Sequence, residues 1–171
     1  MAAQWCHFMS FLKKNKVAVL PGILVVTLLG WLSLRLVVQR FSPRPSDLGV
    51  QGNRLKACPA SPNCVSTYDL DEVHGMTPIP YVGSAAAAQA YLLTVLQNHP
   101  RTYIIRTEPG YIQVEFRSLV WDFVDDGEFY LDEHAGVIQF RSAARLGYGD
   151  SDVNRMRLEQ IRAAFLSLSN E

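Results

Sequence analysis

Residues 17–34 read VAVLPGILVVTLLGWLSL, eighteen consecutive positions without a charge, bounded by Lys16 and Arg35. Such a run leaves a chain few options. At ~1.5 Å per residue a helix over it covers about 27 Å, close to the ~30 Å hydrocarbon thickness of a bilayer. Leu36, Val37 and Val38 extend it if Arg35 snorkels to the interface. Pro21 and Gly22 lie near the lysine end, where a bilayer helix tolerates them, and Trp31 suits an interfacial belt. A buried core helix would show a polar face, yet only Thr27 and Ser33 are polar here. A cleaved signal peptide ends in small residues at its cleavage site, whereas this run leads into RLVVQR. The expectation is an uncleaved, single-pass anchor over residues 17–38 with the lipid bilayer as its partner.

Charge does not orient that anchor. Lys13, Lys14 and Lys16 precede it, and Arg35, Arg40 and Arg44 follow it. Residues 1–16 read as a cytoplasmic tail, which exports the remainder. The cysteines give an independent vote. Cys58 and Cys64 enclose PASPN, and Pro59 and Pro62 forbid helix across it. A redox dithiol normally uses C-x-x-C at a helix start. A zinc site needs four ligands; His74 offers a third and no fourth stands out. A disulfide fits best and requires an oxidising compartment. Reduced structural cysteines, or metal or redox chemistry, are the alternatives. Cys6 falls across the membrane and reads as unpaired. The expected location of the C-terminal domain is extracytoplasmic, in a periplasm or its equivalent.

Residues 39–56 are rich in Pro, Ser, Gly and Asn and read as a linker, a tether with no packed core. Residues 57–171 read as a domain. Residues 76–82 suit a short edge strand broken by proline. Ser84 can cap a helix over residues 85–97, with Ala88, Tyr91, Leu92, Val95 and Leu96 on one face. Strands are expected over residues 102–107, 111–118, 121–130 (one bent strand or two short ones) and 137–143. Asp125-Asp126-Gly127 reads as a turn with its own backbone hydrogen bonds. A last helix starts near Ser151 or Asp152 as N-cap, with Val153, Met156, Ile161, Ala164, Phe165 and Leu168 as its stripe. Short turns favour antiparallel pairing. The fold class is α+β: the transmembrane helix, then an antiparallel sheet of four to five strands with two helices on one face.

Zero formal net charge and the absence of a basic stripe argue against nucleic acid. No P-loop, G-x-S-x-G, H-E-x-x-H or G-x-G-x-x-G pattern occurs, so no cofactor and no metal set is expected. His74, His99 and His134 read as solvated. The polar sheet face should carry Gln113, Glu115, Arg117, Glu128, Tyr130, Gln139 and Arg141. It reads first as a solvated face with charge ladders. The sharper reading has Arg117, Arg141 and Arg145 converging on an anion. Asp125 and Asp126 would face opposite ways in a strand, so a shared acid/base site needs a turn or bulge. Arg141, Arg145, Tyr148, Asp150, Asn154 and Arg155 gather around a turn that feeds a helix N-terminus. A plain strand-to-helix connection held by Arg–Asp contacts is the bland reading there.

Three blocks, CPASPNCVST, FRSLVWDFVDD and RSAARLGYGDSDVNR, resemble in order the signature blocks of the domain-of-unknown-function 1499 family, over roughly residues 55–167. The resemblance implies an exported or membrane-associated domain and transfers no catalytic residue. It places Cys58, Cys64, Asp125, Asp126, Arg141, Arg145, Tyr148, Asp150, Asn154 and Arg155 in signature blocks. The function expected is a membrane-anchored binding or accessory module. It would recognise an anionic small molecule or a protein partner through Arg117, Asp126, Arg141, Arg145, Tyr148, Asn154 and Arg155. An enzyme using Asp125 or Asp126 as acid/base, and a lipid-binding module, are the alternatives.

Overall fold

A computed structural model describes residues 16–169. Residues 1–15 of the expected tail, with Lys13, Lys14 and Cys6, lie outside the described residues, and Lys16 begins the first helix. The chain divides into two compact units at Arg40 and Phe41.

The first unit is helix α1, Lys16–Arg40. From Leu20 onward it is long and apolar enough to cross a membrane. Its apolar residues are spread around the axis with no separate polar face. Arg35 bends back over the Trp31 ring, 5.0 Å from its centroid.

The second unit is α+β. Among the described residues its elements are β1 (Cys64–Ser66), β2 (Ile79–Pro80), α2 (Ala85–Asn98), β3 (Thr102–Glu108), β4 (Tyr111–Arg117), β5 (Val124–Asp132), β6 (Val137–Ala144) and α3 (Val153–Ser169). The strands form one antiparallel sheet of order β1-β6-β5-β4-β3, and β2 also pairs with β6. Six strands exceed the expected four to five. The extra one, β1, is too short to show an alternation, and β2 shrinks to two residues because Pro78 and Pro80 withhold amide donors.

Alternation divides β4, β5 and β6 cleanly. Ile112, Val114, Phe116, Phe129, Leu131, Ile138 and Phe140 share one face and are buried. Helices α2 and α3 cover that face with Ala88, Leu92, Val95, Leu96, Leu158, Ile161 and Phe165. Ser84 caps α2 by accepting from the Ala87 amide at 3.2 Å. The expected apolar stripe of α3 holds in its second half, where Ile161 and Phe165 are buried and Leu168 packs on the core, and fails in its first. Its buried residues are Asn154, Leu158, Ile161 and Phe165, whereas Val153 and Met156 are exposed.

Residues 125–127 form no turn. β5 runs straight through them, pairing Asp125 with Phe116 and Gly127 with Val114. Gly127 is needed for its missing side chain: a Cβ would overlap the Phe116 ring and come 2.7 Å from Val114 Cγ2.

The largest correction concerns residues 41–56. Read as a tether, this segment belongs to the second unit and lies as a strap over the other sheet face. Leu55 and Ser42 are buried in it. The Gly49 amide donates to Glu128 Oε1 at 2.7 Å. A charged face that needs partners supplies the reason a proline-rich segment packs here.

Candidate functional site

The strap closes over a polar layer. Gln113, Glu115, Asp126, Glu128 and Arg141 are all buried on the face that reads from the sequence as solvated. Glu115, on β4, is the hub. Its Oε1 accepts from Arg44 Nη2 and Arg145 Nη2, each at 2.6 Å, and its Oε2 from Arg117 Nη2 at 2.8 Å. Burial alone would raise its pKa; the hydrogen bonds from Arg117, Arg145 and Arg44 overcome that and hold the carboxyl at about 2. Arg145 also grips Asp126 in a fork, Nε to Oδ2 at 2.8 Å and Nη2 to Oδ1 at 2.5 Å. Its Nη1 reaches the Ser42 carbonyl of the strap at 3.3 Å.

One strand-pair away the layer is looser. Glu128 Oε1 accepts from Tyr111 Oη at 2.8 Å and from the Gly49 amide. Arg141 Nη1 stands 3.6 Å from Glu128 Oε2, beyond hydrogen-bond length. Among the described residues Arg141 Nε and Glu128 Oε2 are buried without a hydrogen-bond partner. Burial pushes the Glu128 carboxyl up, against the hydrogen bonds from Tyr111 and Gly49. Arg141 lines a cavity of about 360 Å³, with Arg145, Asp126, Lys56 and Pro59 also on its walls.

The helix side of the sheet holds a second polar cluster. Asn154, the second residue of α3, is fully buried. Its Nδ2 donates to Asp150 Oδ2 at 2.7 Å and to the Asn63 carbonyl at 3.4 Å, and its Oδ1 accepts from Ser142 and from Arg157 Nη1. Arg157 Nη2 also donates to Asp125 Oδ2 at 2.8 Å, and its guanidinium lies 4.4 Å from the Phe116 ring centroid. Burial raises the Asp125 pKa, against the opposing pull of Arg157. Asp152 stands just before α3 and its carbonyl accepts from the Met156 amide at 2.9 Å, but the capping side chain is that of Asp150, which accepts from the Asn154 amide at 2.9 Å. Ser151 and Asp152 instead adopt left-handed backbone, φ 54° and 60°. Beside this cluster lies a cavity of about 270 Å³, lined by Phe123, Asp125, Leu146, Val153 and Arg157.

Cys58 and Cys64 are joined, with Cα atoms 5.6 Å apart. The bridge closes the loop that carries Asn63, whose Nδ2 donates to the Gly147 carbonyl at 2.6 Å. So the three sequence blocks meet in space: CPASPNC supplies Asn63, the second block Asp125, and the third Ser142, Gly147, Asp150 and Asn154.

The residues singled out from sequence therefore divide. Arg117, Asp126, Arg141 and Arg145 share the strap face. Arg117 and Arg145 spend their guanidinium groups on carboxylates of the layer, so they do not converge on one open position. Asp125 and Asp126 face opposite sides of β5, so the chain brings no paired-carboxylate site together there. Asn154 is a buried hub, Tyr148 is 78% exposed, and Arg155 donates to the backbone carbonyls of Gly75, Val73 and Glu72. The histidines are less solvated than expected. His99 is half-buried edge-on to Phe116, ring centroids 5.9 Å apart, and desolvation lowers its pKa. His74 pairs with Asp71 at 2.9 Å, whereas His134 is exposed.

Sequence reasoning passed over Arg44, Lys56, Asn63 and Arg157. Arg157 had a usable signal: it stands one residue before Leu158 and three after Asn154, beside the true stripe of α3. Arg44 and Lys56 had none, because a strap in irregular backbone has no period.

No curated protein matches the sequence. A family model described as "Protein of unknown function (DUF1499)" matches residues 46–165 and so begins inside the strap, ahead of the first cysteine. With two thirds of its length matched in one continuous block, the chain belongs to that family.

Proposed function

We propose that this chain is a membrane-anchored, extracytoplasmic binding module for a small anion bearing a carboxylate or phosphate. α1 crosses the bilayer once, residues 41–171 fold in an oxidising compartment, and the anion binds at Arg141 beneath the strap. The apolar length of α1 and the Cys58–Cys64 bridge support the location. One observation carries the ligand class. Arg141 is 5% exposed, lines a 360 Å³ cavity, and keeps a buried Nε donor without a hydrogen-bond partner among the described residues. A planar guanidinium with donors to spare is suited to a forked anion. Lys56 stands on the same wall, its charge paired with Asp47.

The test is thermal unfolding of the full-length protein in detergent, titrated with inorganic phosphate and with citrate. The wild type gains a saturable rise in Tm with at least one of them, by mass action on the folded state. Arg141→Met loses the rise and Arg141→Lys keeps a reduced one. Equal rises in all three proteins refute the site. For location, alkaline phosphatase fused after Glu171 is active if the domain is exported and silent if it is not.

A second reading, acid/base chemistry at Asp125, is favoured by its burial-raised pKa and its place on the wall of the 270 Å³ cavity. It would need no contribution from Asp126.

A further inference from the structure

The end of the sheet where β4 passes into β5 carries an apolar surface that the core does not use. Leu119, Trp121 and Phe123 are 72%, 40% and 43% exposed. Between the last two, Asp122 holds a left-handed backbone, φ 58°, with its carboxylate 3.3 Å from Arg117. The acid is buried and its apolar neighbours are left outside, the reverse of ordinary partitioning. Tyr148, from the connection into α3, and Val153, its first residue, extend the surface. The two loops adjoin: the Arg145 amide donates to the Val124 carbonyl at 3.0 Å, and both loops line the 270 Å³ cavity.

The chain enters the folded unit at this same end. Ser42 is bonded to Arg145, and Arg44 to Glu115, two residues before β4 ends. α1 ends at Arg40, so Phe41 is all that separates it from the first strap contact. We propose that the tip formed by Leu119, Trp121, Phe123 and Tyr148 inserts into the lipid surface of the bilayer that α1 crosses. The inference rests on α1 being the anchor. Trp and Tyr beside aliphatic side chains suit the headgroup boundary, where an amphipathic ring keeps one edge wet. Such a tip would bind free lipid weakly. Tethering converts insertion into an intramolecular event at high effective concentration. It also fixes which end of the sheet faces the lipid, and brings the mouth of the 270 Å³ cavity to the headgroups.

The experiment uses the full chain with Cys6→Ser, reconstituted in phosphatidylcholine–phosphatidylglycerol vesicles. Nitroxide is attached at Leu28→Cys, Leu119→Cys or Val82→Cys, one at a time. Val82 is exposed and lies beside Tyr81, whose amide bonds Gly136 at the opposite end of the sheet. Relaxation by oxygen, which concentrates in lipid, is compared with relaxation by a water-soluble nickel chelate. The expected result is several-fold greater oxygen preference at 28 and at 119 than at 82. Position 119 behaving like 82, with 28 still in lipid, overturns the tip alone. Position 28 in water overturns the anchor as well. Shielding of 119 from both reagents assigns the tip to a protein contact and overturns the lipid assignment.

Discussion

One sheet buries its two faces by opposite means. The face under α2 and α3 is closed by area: Phe129, Phe140, Ile112 and Ile138 are fully buried against apolar helices. That force is non-directional and scales with surface removed from water, roughly 25 cal/mol per Å². The face under the strap is closed by pairing. Glu115, Asp126 and Glu128 lose water and recover its contacts only from particular donors. The first face should forgive changes that keep volume. The second should be intolerant of losing a buried partner, and less so of losing a half-exposed one such as Arg44.

The largest effect should come from the first face. Phe129→Ala leaves a cavity between β5 and the helices and should cost about 3–5 kcal/mol in denaturant unfolding of the detergent-solubilised chain. Phe129→Leu should cost far less. Comparable losses from the two would mean that this face too depends on particular shapes.

Next comes the hub. Glu115→Gln leaves Arg44, Arg117 and Arg145 facing a neutral amide and should cost about 3 kcal/mol at neutral pH. Its pH dependence sharpens the contrast. Glu115 titrates at about 2 in the fold, below its ordinary 4.5. A lowered carboxyl pKa gives stability that is complete above the unfolded value and is lost as pH falls toward the folded one. The gap between wild type and Glu115→Gln should therefore be full at pH 7 and shrink between about 4.5 and about 2. Glu128 and Asp125 are shifted upward by burial, so their ionisation weighs against the fold and acid relieves it. A gap that stays constant with pH would show that Glu115 acts through shape and not through charge.

The same asymmetry explains what could be read from the sequence. Ile112, Val114 and Phe116 announce a buried face by alternation, and Leu92, Val95 and Leu96 a helix to cover it. Their partners at odd positions, Gln113, Glu115 and Arg117, look the same whether water or a strap lies beyond them. Alternation reports which residues share a face and is silent on what covers a polar one. The fold class and most elements were legible for that reason, and the strap was not. Asp125 and Asp126 show both outcomes in two residues: their opposite orientation follows from strand geometry, whereas the turn expected at Gly127 failed because the glycine serves the Phe116 ring. The stripe of α3 was legible at Ile161 and Phe165 and failed at the helix start, where Asn154 is buried and Val153 and Met156 are exposed.

A smaller effect should follow from the bridge that closes the Asn63 loop. Cys58→Ser with Cys64→Ser should cost on the order of 2 kcal/mol, the entropy of freeing a short loop. Because Asn63 bonds the Gly147 carbonyl and its own carbonyl receives Asn154, the loss should appear at the start of α3. Hydrogen exchange there should quicken while the strap stays protected. Faster exchange in the strap instead would tie the two clusters together through the sheet.

The smallest effect tests whether the strap behaves as one body. Arg44 is half-exposed, so its bond to Glu115 is screened, and Arg44→Ala should cost only about 1 kcal/mol. Its value lies in where the effect appears. Ser42 and Gly49 touch the sheet independently, through Arg145 and Glu128. If the strap folds down cooperatively, losing Arg44 should speed exchange of the Gly49 amide, five residues away, with little change in global stability. That amide is buried and is the strap's bond to the looser half of the layer, next to Arg141. Its release would let water reach Glu128 and relieve the burial that raises its carboxyl. An unchanged Gly49 amide would mean two separate contacts, and the charged face would then resemble the apolar one more closely: a sum of local burials with no single closure to break.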